Sequence, residues 1–168
     1  MKYYHDGILI FEGEYLNGKR NGKGKEYNYK INFVFEGKYL DEMRNEQWKE
    51  FNNYDTKLIF EGDYLNGERW NGKGKEYNNY EKLIYEGEYL NGKRNGKGKD
   101  INYDEKLIYE GEYLYGKRNG KGKEYNYNGE LIYEGEYLSG KRWNGKGKEY
   151  LNGELLYEFN YSYGSKLF

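Results

Sequence analysis

The side chains best suited to chemistry are scarce in this chain. His5 is the only histidine, close to the start of the sequence. Serine occurs at Ser139, Ser162 and Ser165 and threonine only at Thr56. A nucleophilic hydroxyl needs a base within hydrogen-bond reach, and none of these stands in a pattern that supplies one. Carboxylates are plentiful, as at Glu110 and Glu112, but the same pair recurs along the chain. Carboxyl catalysis depends on two groups in one singular arrangement, so a repeated pair reads as one face of a strand set against lysines. Two stretches approach a phosphate-binding loop, Gly67 with Gly72-Lys73 and Gly140 with Gly145-Lys146. Each continues with glycine where Ser or Thr is needed, and no helical pattern follows. Cysteine is absent, which removes thiolate metal sites. The expectation is no catalytic residue, no metal site and no cofactor, hence no enzyme.

The elements that would position any site come from a repeat. An aromatic-Glu-Gly triplet begins at Phe11, Phe35, Phe60, Tyr85, Tyr109 and Tyr133, and a partial copy begins at Tyr157. A fixed period near two dozen residues marks a solenoid or array, so the organisation is a single array over 1–168. In Leu107 to Tyr113, the set Leu107, Tyr109, Gly111, Tyr113 alternates with Ile108, Glu110, Glu112. Period two means a strand. Gly120 to Tyr125 alternates again after the turn-rich LYGKRN, which makes each repeat a β-hairpin. Asp6-Gly7, Asn128-Gly129 and Asn152-Gly153 read as two-residue turns between hairpins. Setting Tyr113 opposite Gly120 puts Gly111 against Gly122, Glu112 against Lys121, Glu110 against Lys123 and Ile108 against Tyr125. One face then carries opposite charges and the other carries rings beside bare glycines. The rings of one repeat would cover the glycines of another. A lone hairpin is marginal in water, so such a repeat folds only in stacks.

Composition fits this thin architecture. The 24 tyrosines and 7 phenylalanines argue against disorder. They supply large rings with a polar tip where aliphatic core is short. The net charge of −1 excludes a general nucleic-acid binder. No apolar run reaches the roughly 18–20 residues that span a bilayer. The start, MKYYHDGILIFEGEYL, is broken by charge and does not read as a signal peptide. The absence of cysteine fits a reducing compartment, so the expected location is cytoplasmic.

The best-kept copy, YEGEYLNGKRNGKGK, resembles the MORN (membrane occupation and recognition nexus) repeat through Tyr85, Gly87, Tyr89, Gly92, Lys93, Gly96 and Gly98. The resemblance extends roughly from Ile8 to Tyr157. It implies an all-β fold, an elongated single-layer antiparallel sheet of stacked β-hairpins curled into a groove. It also implies a scaffold at cytoskeletal or membrane-associated structures, binding to phospholipid headgroups, or regulation of an enzyme in trans.

Three features stand out as candidate contacts. Lys19-Arg20, Lys93-Arg94, Lys117-Arg118 and Lys141-Arg142 fall in one loop of their repeats and would form a basic row for anionic lipid. Trp70 and Trp143 are insertions in the hairpin loops of the third and sixth repeats, suited to anchor an interface. The repeat-core aromatics Phe11, Tyr15, Phe35, Tyr39, Phe60, Tyr64, Tyr85, Tyr89, Tyr109, Tyr113, Tyr133 and Tyr137 either pack as core or line a groove for a partner. The second repeat departs from the pattern, with Glu42, Glu46 and Trp48 where others have glycine. Trp48 predicts a distortion or a special contact. The expected partners are another protein or a second copy, with anionic lipid as the alternative and no nucleic acid.

Overall fold

In a chain where rings and glycines share one strand face and Glu and Lys share the other, neighbouring strands must align glycine with glycine. A computed structural model describes residues 1–52, 57–65, 68–78 and 80–167. Thr56, Gly67 and the side chain of Glu46 lie outside the described residues. Among the described residues there is no helix; antiparallel strands are joined by short connections. The chain forms two compact units, Met1–Gly74 and Lys75–Phe168. The first holds β1 (Lys2–His5), β2 (Ile8–Leu16), β3 (Lys19–Asn28), β4 (Phe33–Leu40), β5 (Met43–Asn52), β6 (Leu58–Leu65) and the start of β7 (Glu68–Tyr77). The second holds the end of β7, then β8 (Leu83–Leu90), β9 (Lys93–Ile101), β10 (Leu107–Leu114), β11 (Lys117–Tyr125), β12 (Leu131–Leu138), β13 (Lys141–Leu151), β14 (Glu154–Ser162) and β15 (Ser165–Leu167). β1 to β7 pair in chain order in the first unit, as β8 to β15 do in the second.

The hairpin register differs from the one read in the sequence. In β10–β11, Gly111 faces Gly122 and Glu110 faces Lys123, but Tyr113 faces Arg118 and Leu114 faces Lys117. The hairpin tip is only Tyr115-Gly116, with φ of 50° and 85°. This left-handed pair marks the tight turn whose twist suits a two-stranded ribbon. Strand β11 therefore starts earlier than the alternation suggests, and Asn119, Gly120 and Lys121 bulge opposite Glu112. The Glu112 carboxylate accepts the Lys121 backbone N–H at 2.7 Å within the bulge. Glu14 and Glu88 do the same for Lys23 and Lys97 at 2.9 and 3.0 Å. The expected pairing instead joins consecutive hairpins: Tyr137 faces Gly120, Glu136 faces Lys121 and Gly135 faces Gly122.

Between hairpins, Asp6-Gly7 and Asn152-Gly153 are tight two-residue turns. Asn128-Gly129 is not. It lies in a longer loop organised by Asn126, whose side-chain oxygen accepts the N–H groups of Asn128 and Glu130, each at 3.0 Å. An asparagine bonding its own backbone two residues on is a local turn-former, and it outcompetes the tighter Asn-Gly turn here.

The core is a ladder of rings on the glycine face. Tyr109 lies fully buried over Gly111 and Gly122. It meets Tyr113 of its own repeat and Tyr137 of the next, edge to face, with centroids 5.5 and 5.1 Å apart. Tyr85 and Tyr133 repeat this with Tyr89 and Tyr113, and with Tyr137 and Tyr161. Each such pair adds about 0.5–1.5 kcal/mol beyond its area burial.

A methyl group at Gly122 would sit 2.5–2.7 Å from the Tyr109 ring. Gly122→Ala is expected to lower stability by about 1–3 kcal/mol, the usual cost of overpacking a core, read as a lower urea midpoint.

Candidate functional site

The arginine after each hairpin tip does not reach into solvent. Arg94 lies over the Tyr85 ring at 3.9 Å from its centroid and Arg118 over Tyr109 at 4.1 Å. Arg44 lies over Phe35 at 3.9 Å and Arg20 over Phe11 at 4.5 Å. Arg142 stands 5.1 Å from the Tyr133 centroid. A planar guanidinium can stack on a ring and still aim its N–H groups sideways. It aims them at the carboxylate that closes the preceding repeat. Arg94 donates to Glu76 at 2.6 and 2.8 Å, Arg118 to Asp100 at 2.7 and 3.0 Å, and Arg142 to Glu124 at 2.9 Å. Arg69 grips Glu50 with two bonds, at 2.5 and 2.9 Å.

The second tyrosine of the same repeat often donates to the same carboxylate. Tyr89 reaches Glu76 at 2.7 Å and Tyr137 reaches Glu124 at 2.8 Å; Tyr39 and Tyr64 bond Glu26 and Glu50. One carboxylate from one repeat thus clamps a ring and a cation of the next. The fifth repeat varies this. Asp100 is one methylene shorter, and the buried Tyr113 hydroxyl has no hydrogen-bond partner among the described residues.

The clamp shifts its members' titration. Burial, and then the hydrogen bond to its carboxylate, pushes the Tyr89 and Tyr137 phenols well above the usual range. Burial pushes Tyr109 up to about 12. Burial also disfavours the Glu124 carboxylate, but hydrogen bonds from Arg142 and Tyr137 outweigh it and hold Glu124 below its ordinary value. Burial disfavours charge on Arg94 as well, and the bond to Glu76 more than restores it.

The expected contact residues separate under this geometry. In the basic row, Arg20, Arg94, Arg118 and Arg142 are half-buried and committed to ion pairs and rings, so they are not a lipid-facing row. Arg20, in the repeat that starts at Phe11, turns to Glu26 and Glu42 at 3.7 and 3.5 Å. Lys19, Lys93, Lys117 and Lys141 are exposed and make no ion pair among the described residues. Both lysine and arginine stand in strands rather than loops, because the tips are only two residues long.

Trp48 is fully buried and is not a contact surface. Its indole covers Gly37 and donates to the carbonyls of Lys38 and Asn45 at 3.1 Å each. It takes the place that a tyrosine ring and hydroxyl hold elsewhere, as where Tyr109 donates to the Glu112 carbonyl at 3.1 Å. Trp70 and Trp143 are not in loops either. Each is the extra residue of a bulge, in β7 and β13, and each is half-buried. Trp143 packs edge-on against Tyr163, with centroids 5.7 Å apart.

The repeat-core aromatics do not line an open groove. Phe11, Phe35, Tyr39, Phe60, Tyr64, Tyr85, Tyr109, Tyr113, Tyr133 and Tyr137 are buried, and only Tyr15 and Tyr89 are half-buried.

What remains outside is a row absent from the sequence-based candidates. The leucine after each second tyrosine stands exposed beside the hairpin tip: Leu16, Leu40 and Leu65 in the first unit, Leu90, Leu114 and Leu138 in the second. Leu90, Leu114 and Leu138 pair across their hairpins with Lys93, Lys117 and Lys141. The signal was visible, since leucine follows this tyrosine in all six repeats.

Phenols whose folded pKa lies above the unfolded value stabilise the fold below that unfolded value and lose the contribution as pH rises through the folded one. Stability is therefore expected to hold to about pH 10 and then fall by about 1.4 kcal/mol per pH unit for each clamped tyrosine. Glu124, with its lowered value, adds a loss as pH drops below about 4.5. Circular dichroism followed with tyrosinate absorbance checks this, with unfolding and ionisation expected to coincide.

Among the described residues no helix is long and apolar enough to cross a membrane. A comparison with curated proteins finds no match to the chain. The MORN repeat family model matches residues 11–28, 85–99 and 109–130, which carry hairpins of the kind described above. MORN repeats are a non-catalytic repeat type and generally serve as interaction modules. This chain carries MORN repeats at those three segments.

Proposed function

We propose that the chain is a non-enzymatic interaction scaffold that binds a protein partner along its hairpin-tip edge. The observation that carries this reading is the exposed leucine row. Leu90, Leu114 and Leu138 are 44%, 43% and 46% exposed. An apolar side chain repeated at one position of successive hairpins forms a line, and lines of exposed apolar residues mark interaction surfaces. The core rings and arginines are consumed in holding repeat to repeat, so recognition falls to what the tips present.

A second reading, binding to anionic lipid, is favoured by one observation. Lys93, Lys117 and Lys141 are exposed, free of ion pairs among the described residues, and adjacent to those leucines. Leucine beside lysine suits a membrane surface. The basic run is interrupted in the first unit, where Met43 and Glu68 take the lysine position.

The test compares wild type with two triple variants, Leu90/Leu114/Leu138→Ser and Lys93/Lys117/Lys141→Glu. Light scattering after size-exclusion reads self-association against the 20.2 kDa monomer. Affinity capture from the producing cell reads other partners, and phosphatidylserine vesicles read lipid. The protein reading predicts stoichiometric capture or a doubled mass, lost with the serine variant. Vesicle binding that salt and the glutamate variant abolish, with no protein captured, would replace it with the lipid reading.

A further inference from the structure

One repeated feature lies at the opposite ends of the strands from the leucines. In the second unit the hairpins are joined by loops that Asn78, Asn102 and Asn126 organise in the same way. Asn102 Oδ1 accepts the N–H groups of Asp104 and Lys106 at 2.9 Å each, and Asn78 Oδ1 accepts those of Tyr80 and Lys82 at 2.9 and 3.1 Å. Glu81, Glu105 and Gly129 take matching left-handed conformations. The loops are also tied to each other. Lys82 Nζ donates to the Tyr103 carbonyl at 2.8 Å, and Lys106 Nζ to the Tyr127 carbonyl at 3.0 Å. These loops are therefore built to a common shape and held at the spacing of the sheet.

Each loop holds an exposed tyrosine. Tyr103 and Tyr127 occupy equivalent positions and are 66% and 67% exposed; Tyr80 stands one position later in its own loop and is 80% exposed. Around them lie the carboxylates of Glu81, Asp104 and Glu105, exposed and without ion pairs among the described residues. Glu130 accepts the Asn126 side-chain N–H at 2.6 Å. The two lysines of these loops, Lys82 and Lys106, are turned to backbone carbonyls. The edge is thus aromatic and acidic, unlike the leucine-lysine edge at the tips.

We propose that this loop edge docks an extended, proline-rich segment that carries arginine or lysine. Two physical matches support that occupant. The first is charge: the exposed carboxylates outnumber the lysines and complement a basic ligand. The second is period. One hairpin advances the sheet by two strand spacings, about 9.5 Å, while a polyproline II helix advances about 9.3 Å every three residues. Prolines three apart would therefore meet Tyr103 and Tyr127 in turn, ring on ring, and the segment would arrive already extended, with little conformational entropy to lose. This edge is separate from the leucine row, and the inference does not depend on which partner binds there.

Calorimetric titration of the full chain tests it with a synthetic peptide of ten prolines flanked by paired arginines. The control has the same charges with glycine in place of proline. Tyr103→Ser/Tyr127→Ser and Asp104→Asn/Glu105→Gln alter exposed side chains outside the ring core, and circular dichroism verifies that both variants stay folded. Saturable binding of the proline peptide is expected, weakened about tenfold or more by the tyrosine variant. The amide variant is expected to bind more weakly and with a flatter salt dependence. Equal binding of the glycine control, unchanged affinity in the tyrosine variant, or no binding of the proline peptide at millimolar concentration would each overturn the proposal. Binding of a soluble β-glucan at Tyr103 and Tyr127 in place of the peptide would also overturn it, assigning the edge to sugars.

Discussion

A ring can lie flat on a β-sheet only where the backbone beneath it has no side chain. That constraint shapes the repeats of this chain, and in the second repeat Trp48 stands in place of one glycine and covers the other, Gly37. Two glycines on paired strands, such as Gly111 and Gly122, make the bare patch, and Tyr109 fills it. The ring is buried because its neighbours pack edge-on, and one of them, Tyr137, belongs to the next repeat. Hydrophobic burial is therefore shared between repeats and cannot be completed within one.

Burying tyrosines leaves hydroxyls that need partners. The carboxylate clamp answers this need and adds direction. Glu76 and Glu124 each accept a phenol and a guanidinium from the following repeat, while the guanidinium covers the first ring of that repeat. Half-burial costs both charges desolvation, and the hydrogen bonds between them offset that cost. The aromatic ladder and the clamp run along the same face. The strand ends carry exposed leucine and lysine at the tips and exposed tyrosine and carboxylate at the loops.

Much of this was legible in the sequence. The triplet at Phe11 through Tyr133 gave the repeat, the alternation gave strands, and the glycines implied rings above them. What the pattern leaves open is distance along the chain. Gly111–Gly122 pairing follows from the pattern, but the pattern does not say that a two-residue tip and a bulge intervene, so Tyr113 faces Arg118 of β11 where the alternation alone puts Gly120 of the same strand. Lys-Arg looked like one basic unit. The two residues point to opposite faces of a strand, so Lys117 meets water while Arg118 meets Tyr109 and Asp100. Trp48 could not be placed because its role depends on the bulge carbonyls of Lys38 and Asn45, which only the folded register brings together. The exposed leucines are hidden in the sequence because a single leucine in a strand ordinarily reads as core.

The central claim is that repeats are held together by a carboxylate of one clamping the tyrosine and arginine of the next. A double-mutant cycle between Glu124→Gln and Tyr137→Phe, measured by urea unfolding, tests it most directly. The clamp predicts a coupling energy above about 1 kcal/mol, since contacting residues in one hydrogen-bond network are not additive. Additive effects, with coupling near zero, would contradict it and leave ring packing alone to hold the array together.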